Sequence, residues 1–158
     1  FNNSYKILPA TFASWMRILR QVPQSVLWLL EDNPDVRVNL RQHASAAGID
    51  PLRLVFAPRL KLPLHLARHR AADLFLDTLP YNAGTTASDA LWAGLPVLTC
   101  MGESFASRVA ASLLNSIELP ELITTTQEQY EATAIELATN PIKLKRNRLP
   151  GNKRLIGT

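Results

Sequence analysis

Two short apolar runs flanking one helix-length segment constrain this chain more than any other feature. Ala72 to Thr99 reads ADLFLDTLPYNAGTTASDALWAGLPVLT. The run Leu74–Leu76 closes on Asp77, Pro80, Asn82 and Gly84 punctuate a turn, and Thr85 and Thr86 stand where a helix begins. Gly94 ends that helix, and Pro96–Thr99 starts the second apolar run at once. Strand, polar turn, helix, glycine and strand make a βαβ unit. Such units place their ligands beyond the carboxyl ends of the strands, beside the helix amino terminus. Tyr81 to Asp89 is therefore the first candidate site.

The flanking sequence repeats the alternation. A helix from Pro9 or Thr11 carries Phe12, Trp15, Met16, Leu19 and Val22 on one face and stops at Pro23. Val26–Leu30 is fully apolar and too short for a buried helix, so it reads as a central parallel strand. Asn33 and Pro34 form an N-cap and first-turn pair for a helix with Val36, Leu40, Ala44 and Ala47, terminated by Gly48. Arg53–Ala57 is a strand, and Pro63 opens a short helix to about Arg70. Beyond the central unit come a helix over Ser104–Leu114, a further helical turn over Leu119–Ile123, and a capping box of Thr125 and Glu128 before a helix carrying Tyr130, Ala134 and Leu137. Strands alternating with helices give an α/β fold: a doubly wound, Rossmann-like parallel sheet with helices on both faces over residues 1–140. Its first strand is expected to be truncated at Phe1. Asn140–Pro141 then leads into a basic helix or tail over 141–158.

Composition narrows the function classes. With 158 residues, 47% of them hydrophobic, the chain can bury a real core. A single cysteine, Cys100, excludes an internal disulfide and a thiolate metal cluster. No apolar run reaches the roughly 20 residues that a membrane helix needs. The net charge of +4 comes largely from Lys143, Lys145, Arg146, Arg148, Lys153 and Arg154. No aromatic residues interleave with them, so a nucleic-acid face is not expected. Neither GxGxxG, GxxxxGK[ST] nor HExxH occurs, which argues against dinucleotide, ATP-hydrolysing and zinc-protease readings.

Read from chemistry alone, the Gly84–Thr85–Thr86 turn offers backbone N–H groups and two hydroxyls to an anion along the helix dipole. Thr85 also reads simply as an N-cap. Asp89, one turn on, would repel phosphate, so a ribose hydroxyl is its more plausible partner, the alternative being a solvated helix face. His65 and Arg68, three apart, share a face of the short helix on the same sheet edge. An arginine there can hold phosphate oxygens bidentately, or both residues are ordinary surface positions. Asn3 and Lys6 follow the first strand at this edge, and Lys61 lies close in sequence. Cys100 lacks a base nearby in sequence, and His43 and His69 read as structural, His69 facing away from His65.

Taken together, FNNSYKI, VPQSVLWLL, RLVFAP, HLARHRAADLFLDTLPYN, GTTASDALWAGLPVLT and FASRVAASLL resemble the carboxyl-terminal part of the O-linked N-acetylglucosamine transferase family. The resemblance runs from Phe1 to about Leu144. It implies one lobe of a GT-B glycosyltransferase that binds the UDP part of UDP-N-acetylglucosamine and passes the sugar, with inversion and without metal, to serine or threonine hydroxyls. By position, Asn3 corresponds to a polar residue near the donor, and Lys6 to the lysine that contacts the diphosphate and supports departure of UDP. His65 and Arg68 correspond to the HxxR segment near uridine, Thr85 and Thr86 to the paired phosphate-binding threonines, and Asp89 to the ribose-binding acid. Three positions depart. Gly84 stands where animal members have histidine, Leu62 where they have a base-contacting lysine, and Glu118 where a glycine is usual.

In this family the acceptor-handling histidines and the tetratricopeptide repeats lie upstream. The resemblance thus implies a cytoplasmic, repeat-containing parent whose partners are a UDP-sugar, its own catalytic lobe and protein acceptors, with neither nucleic acid nor membrane. It also implies that the isolated chain transfers nothing. Rival readings are a GT-B enzyme with another donor or a non-protein acceptor, and a non-catalytic α/β interaction domain.

Overall fold

The computed structural model describes residues 4–147. Asn3, a candidate donor contact, and the tail residues Arg148, Lys153 and Arg154 lie outside that range. Five strands, β1 (Leu27–Leu30), β2 (Leu54–Ala57), β3 (Phe75–Leu76), β4 (Val97–Cys100) and β5 (Ile123–Thr124), alternate with seven helices. These are α1 (Pro9–Gln21), α2 (Pro34–Ala46), α3 (Leu62–Arg68), α4 (Thr85–Trp92), α5 (Val109–Ser116), α6 (Gln127–Thr139) and α7 (Pro141–Arg146). Every recorded strand pair is parallel, in two ladders, β1–β2 and β3–β4–β5. Phe75 faces Val97 across the first pair of the second ladder, and Thr99 faces Ile123 across the next. A cavity of about 760 Å³ is lined by Leu27 and Leu29 of the first ladder and Leu76 of the second, with Leu74 beside them.

β4 is the centre. All four of its residues are buried, and successive side chains serve opposite faces. Val97 joins Ala87, Ala90 and Leu91 of α4 and Leu114 of α5. Leu98 and Cys100 join Phe12, Trp15 and Leu19 of α1 and Ala134 of α6. Helices on both faces explain why β4 reads as an uninterrupted apolar run rather than an alternating one.

Local chemistry sets the boundaries. Pro9 occupies the first turn of α1. Asn33 Oδ1 accepts the Asp35 N–H at 2.9 Å to open α2, and Gly48 and Gly94 supply left-handed turns at φ +79° and +88°. Three details differ from the sequence expectations. The capping box lies one residue later: Thr126 Oγ1 accepts the Gln129 N–H and Gln129 Oε1 accepts the Thr125 N–H, each at 3.1 Å. The Ser104–Leu114 helix is interrupted, a 3-10 turn over Phe105–Ser107 preceding α5, because the Ser107 carbonyl turns back to accept the Gly102 N–H at 2.9 Å. The helical turn over Leu119–Ile123 is a 3-10 turn, Pro120–Leu122, that hands directly to β5. Two residues are too few to show a strand period, and β5 is fixed by Met101 N–H donating to the Thr124 carbonyl at 2.7 Å. Glu118, at the position where glycine is usual, has φ 60°, so the backbone conformation that favours glycine is kept.

Candidate functional site

The loop between β3 and α4 is built on a buried acid. Asp77 continues the β3 ladder, its N–H donating to the Leu98 carbonyl at 3.0 Å, and only 3% of it is exposed. Its Oδ1 accepts the N–H groups of Thr78 and Ala83, both at 2.8 Å, and its Oδ2 accepts the Thr99 hydroxyl at 2.7 Å. Its carbonyl accepts the Tyr130 hydroxyl at 3.0 Å, and Tyr130 in turn accepts the Trp15 indole N–H at 2.9 Å. Burial pushes the Asp77 carboxyl up to about 6, against these hydrogen bonds and the charge of Lys6, which pull it down. Burial raises the Tyr130 phenol and the Cys100 thiol too.

Other elements clamp the same loop. Thr11 Oγ1 of α1 donates to the Leu79 carbonyl at 3.0 Å, and Lys6 Nζ donates to the Asn82 carbonyl at 3.2 Å. The Asn82 amide donates to the Thr78 carbonyl at 2.9 Å, while the Asn82 backbone N–H donates to the Ala106 carbonyl at 2.9 Å. The chain thus arrives at Gly84, the N-cap of α4, in a fixed direction. Gly84 brings no capping side chain, which leaves the first-turn N–H groups open to an anion. Thr86 Oγ1 beside them is buried and has no hydrogen-bond partner. A buried hydroxyl left unsatisfied costs free energy. A Cβ added at Gly84 would meet nothing within 4 Å, so a side chain fits here.

The other half of the site rests on α3. Arg68 Nη2 donates to His65 Nδ1 at 2.9 Å. Guanidinium has no acceptor, so His65 must carry its proton on Nε2, and that atom lies 3.4 Å from Asp89 Oδ2 on α4. Burial, then the charge of Arg68, pulls the His65 imidazole below its usual range, with Asp89 opposing. Arg68 is anchored through Nη1 on the Pro58 carbonyl. His69 donates from Nδ1 to the His65 carbonyl at 2.6 Å and meets the His65 ring edge-on at 4.6 Å between centroids. Fully buried, His69 is pushed down to about 4 by that burial.

Lys6, Gly84, Thr85, Thr86 and Asp89 therefore gather on or around one loop and helix start, and His65 and Arg68 reach Asp89 from α3. Leu62, the first residue of α3, is 59% exposed. One expectation is corrected: His69 does not face away from His65 but packs on it, because residues four apart share a helix face. Sequence reasoning also passed over Asp77, Asn82 and Tyr130. The available signal was an acid ending an apolar strand at the ligand edge.

Among the described residues no group of three or more His, Cys, Asp or Glu could hold a metal ion, and no helix is long and apolar enough to cross a membrane. The sequence profile of glycosyl transferase family 41 matches residues 1–152. A UDP-N-acetylglucosamine–peptide N-acetylglucosaminyltransferase of Caenorhabditis elegans is 41% identical over 140 residues, covering 89% of this chain and 12% of that protein. The probable UDP-N-acetylglucosamine–peptide N-acetylglucosaminyltransferase SEC of Arabidopsis thaliana is 38% identical over 146 residues, covering 92% and 15% respectively. A solved structure of a mutant Thermobaculum terrenum O-GlcNAc transferase superposes with a TM-score of 0.90 at 34% identity, covering 94% of this chain and 29% of that one. The chain spans less than a fifth of the curated relatives named here.

Proposed function

The chain belongs to glycosyl transferase family 41, and from that membership we propose that it is the donor-binding lobe, residues 1–140, of an inverting protein O-GlcNAc transferase. The observation that carries the donor site is the buried, unbonded Thr86 hydroxyl beside the open amino terminus of α4, with Lys6 held to the same loop. A diphosphate supplies what those groups lack: acceptor oxygens for Thr86 and the α4 N–H groups, and negative charge for Lys6 and the helix dipole. In the same assignment Asn3 is a donor contact. Asp89 takes ribose hydroxyls, while His65, Arg68 and Leu62 border the base. The neighbouring Lys61 stands at the N-cap position of α3 without a side-chain cap.

In the reaction a Ser or Thr hydroxyl oxygen of a protein acceptor bonds to the anomeric carbon as the bond from that carbon to the diphosphate breaks. The electron pair leaves with UDP, and the hydroxyl proton passes to a base outside this lobe. Charge grows on the departing oxygens, and the Lys6 ammonium is the group that neutralises it, so its contribution is largest in the transition state. Lys6 is thus the catalytic residue of this lobe. We assign the acceptor chemistry, and recruitment by tandem repeats, to the rest of a cytoplasmic polypeptide. The donor site works without a divalent cation, and donor affinity is expected to survive chelator.

Calorimetric titration of the full-length protein with UDP, UDP-N-acetylglucosamine and UDP-glucose tests this. Lys6→Ala is expected to weaken binding by about 10- to 100-fold, the usual worth of a hydrogen bond to a charged group. A folded sample that binds none of the three ligands overturns the donor reading. Tight binding and turnover that are both unchanged by the substitution overturn the role of Lys6.

A further inference from the structure

We propose that His65 sets how strictly the donor site selects a ribonucleotide over a deoxyribonucleotide, by holding the Asp89 carboxylate in the orientation that receives a ribose hydroxyl. The inference rests on the donor reading above and adds a positioning residue to it, one that acts on the ribose only through Asp89.

His65 is fixed from three sides. Its backbone N–H donates to the Lys61 carbonyl at 2.9 Å. Arg68 Nη2 donates to its Nδ1 at 2.9 Å, and the His69 ring meets it edge-on at 4.6 Å between centroids. Arg68 is itself anchored on the carbonyl of Pro58, the residue after β2. A guanidinium only donates, so the proton of a neutral His65 sits on Nε2, the atom 3.4 Å from Asp89 Oδ2. Pro58, Arg68, His65 and Asp89 thus form one run of polar contacts. It leads from the end of the first ladder to α4, the helix packed on Val97 of the second. The two side chains at its far end are shielded, His65 being 12% and Asp89 23% exposed.

Asp89 stands one turn beyond Thr85 on the same side of α4. A diphosphate at the start of that helix repels the carboxylate, and an aspartate free to rotate turns away from like charge. Engaged by His65 through Oδ2, the carboxylate keeps its orientation and has Oδ1 to offer a ligand hydroxyl. An acceptor ordered in advance loses less freedom when the ligand arrives. A ligand without the hydroxyl covers that oxygen and leaves it unpaired. Sites built to bond a hydroxyl therefore reject the analogue that lacks it far more strongly than a loosely held acceptor does. The site reads the sugar of the nucleotide as well as its phosphates, and His65 governs how sharply.

The test is calorimetry of the full-length protein with UDP, 2′-deoxy-UDP and 3′-deoxy-UDP, in wild type, His65→Phe, Asp89→Ala and the double variant. Phenylalanine keeps a ring beside the base and removes both nitrogens; His65→Ala serves if that variant does not fold. Wild type is expected to bind UDP about 10- to 100-fold more tightly than at least one deoxy analogue. His65→Phe is expected to cut that preference to about a third or less, Asp89→Ala to abolish it, and the double variant to match Asp89→Ala. The preference is a ratio within one protein, so a general loss of affinity, or a contact of His65 with the base alone, leaves it unmoved. A folded wild-type protein that gives no heat with UDP overturns the donor reading and the inference with it. UDP binding without a preference for ribose overturns the inference alone. So does a preference unchanged in His65→Phe, or one that survives in Asp89→Ala and is then removed by His65→Phe.

Discussion

The two ends of the site are made differently. The loop from Asp77 to Thr86 is tied down by α1, α6, β4 and the segment around Ala106, through hydrogen bonds of 2.7–3.0 Å to buried or half-buried partners. The α3 end has seven residues and not one of them buried. It reaches α4 through the His65–Asp89 side-chain pair at 3.4 Å. One end is a consequence of the core, and the other leans on it. Substitutions in the loop should therefore be felt in stability and donor affinity together, whereas those on α3 should be felt in affinity alone.

The largest expected effect contrasts the buried titratable groups beneath the two ends. The Asp77 carboxyl lies near 6, above its unfolded value, so the folded state binds more protons than the unfolded one and stability falls as pH rises from about 4 to 6. His69 lies near 4, below its unfolded value, so stability rises as pH goes from about 4 to 6.5. Each is worth about 3 kcal/mol across its window, and over most of that range they oppose. Asp77→Asn leaves His69 unopposed, so its urea midpoint is expected to gain on wild type from pH 4 to 6. Parallel midpoint curves for the two proteins would break the contrast.

Next is Tyr130→Phe, which orphans the Trp15 indole N–H and the Asp77 carbonyl together. It is expected to cost about 2 kcal/mol in urea unfolding and to weaken donor binding as well. Loss of stability with wild-type affinity would show that the loop is not tied to the core as described. Arg68→Ala frees the His65 tautomer and is expected to weaken donor binding about tenfold while moving unfolding by less than about 0.5 kcal/mol. A large fall in stability would place α3 in the core rather than leaning on it. The smallest effect lies outside both ends: Glu118→Gly relieves a left-handed residue and is expected to add about 0.5–1 kcal/mol with unchanged donor affinity.

These contrasts also mark what the sequence made legible. α2 announced itself through Asn33–Pro34 and Gly48, and β4 through an unbroken apolar run, because caps, breakers and burial are written in residue types. Thr85, Thr86 and Asp89 were legible for the same reason: a polar turn entering a helix is a local pattern. Asp77 was visible only as the end of a run, since its importance comes from Thr99 and Tyr130, far away in the chain. His69 is structural as its sequence suggests, but its adjacency to Arg68 conceals the four-residue spacing that puts it on His65. β5 is held by partners on β4 rather than by its own period, and no local window contains them.

Gly84 has a further use. The only cysteine of this chain, Cys100, is buried, with a thiol pushed up by that burial. The space above Gly84 is open. A cysteine installed at 84 is then the one readily alkylated thiol of this chain, one residue from the threonines. A fluorophore attached there sits at the opening of α4 and reports on changes in its surroundings.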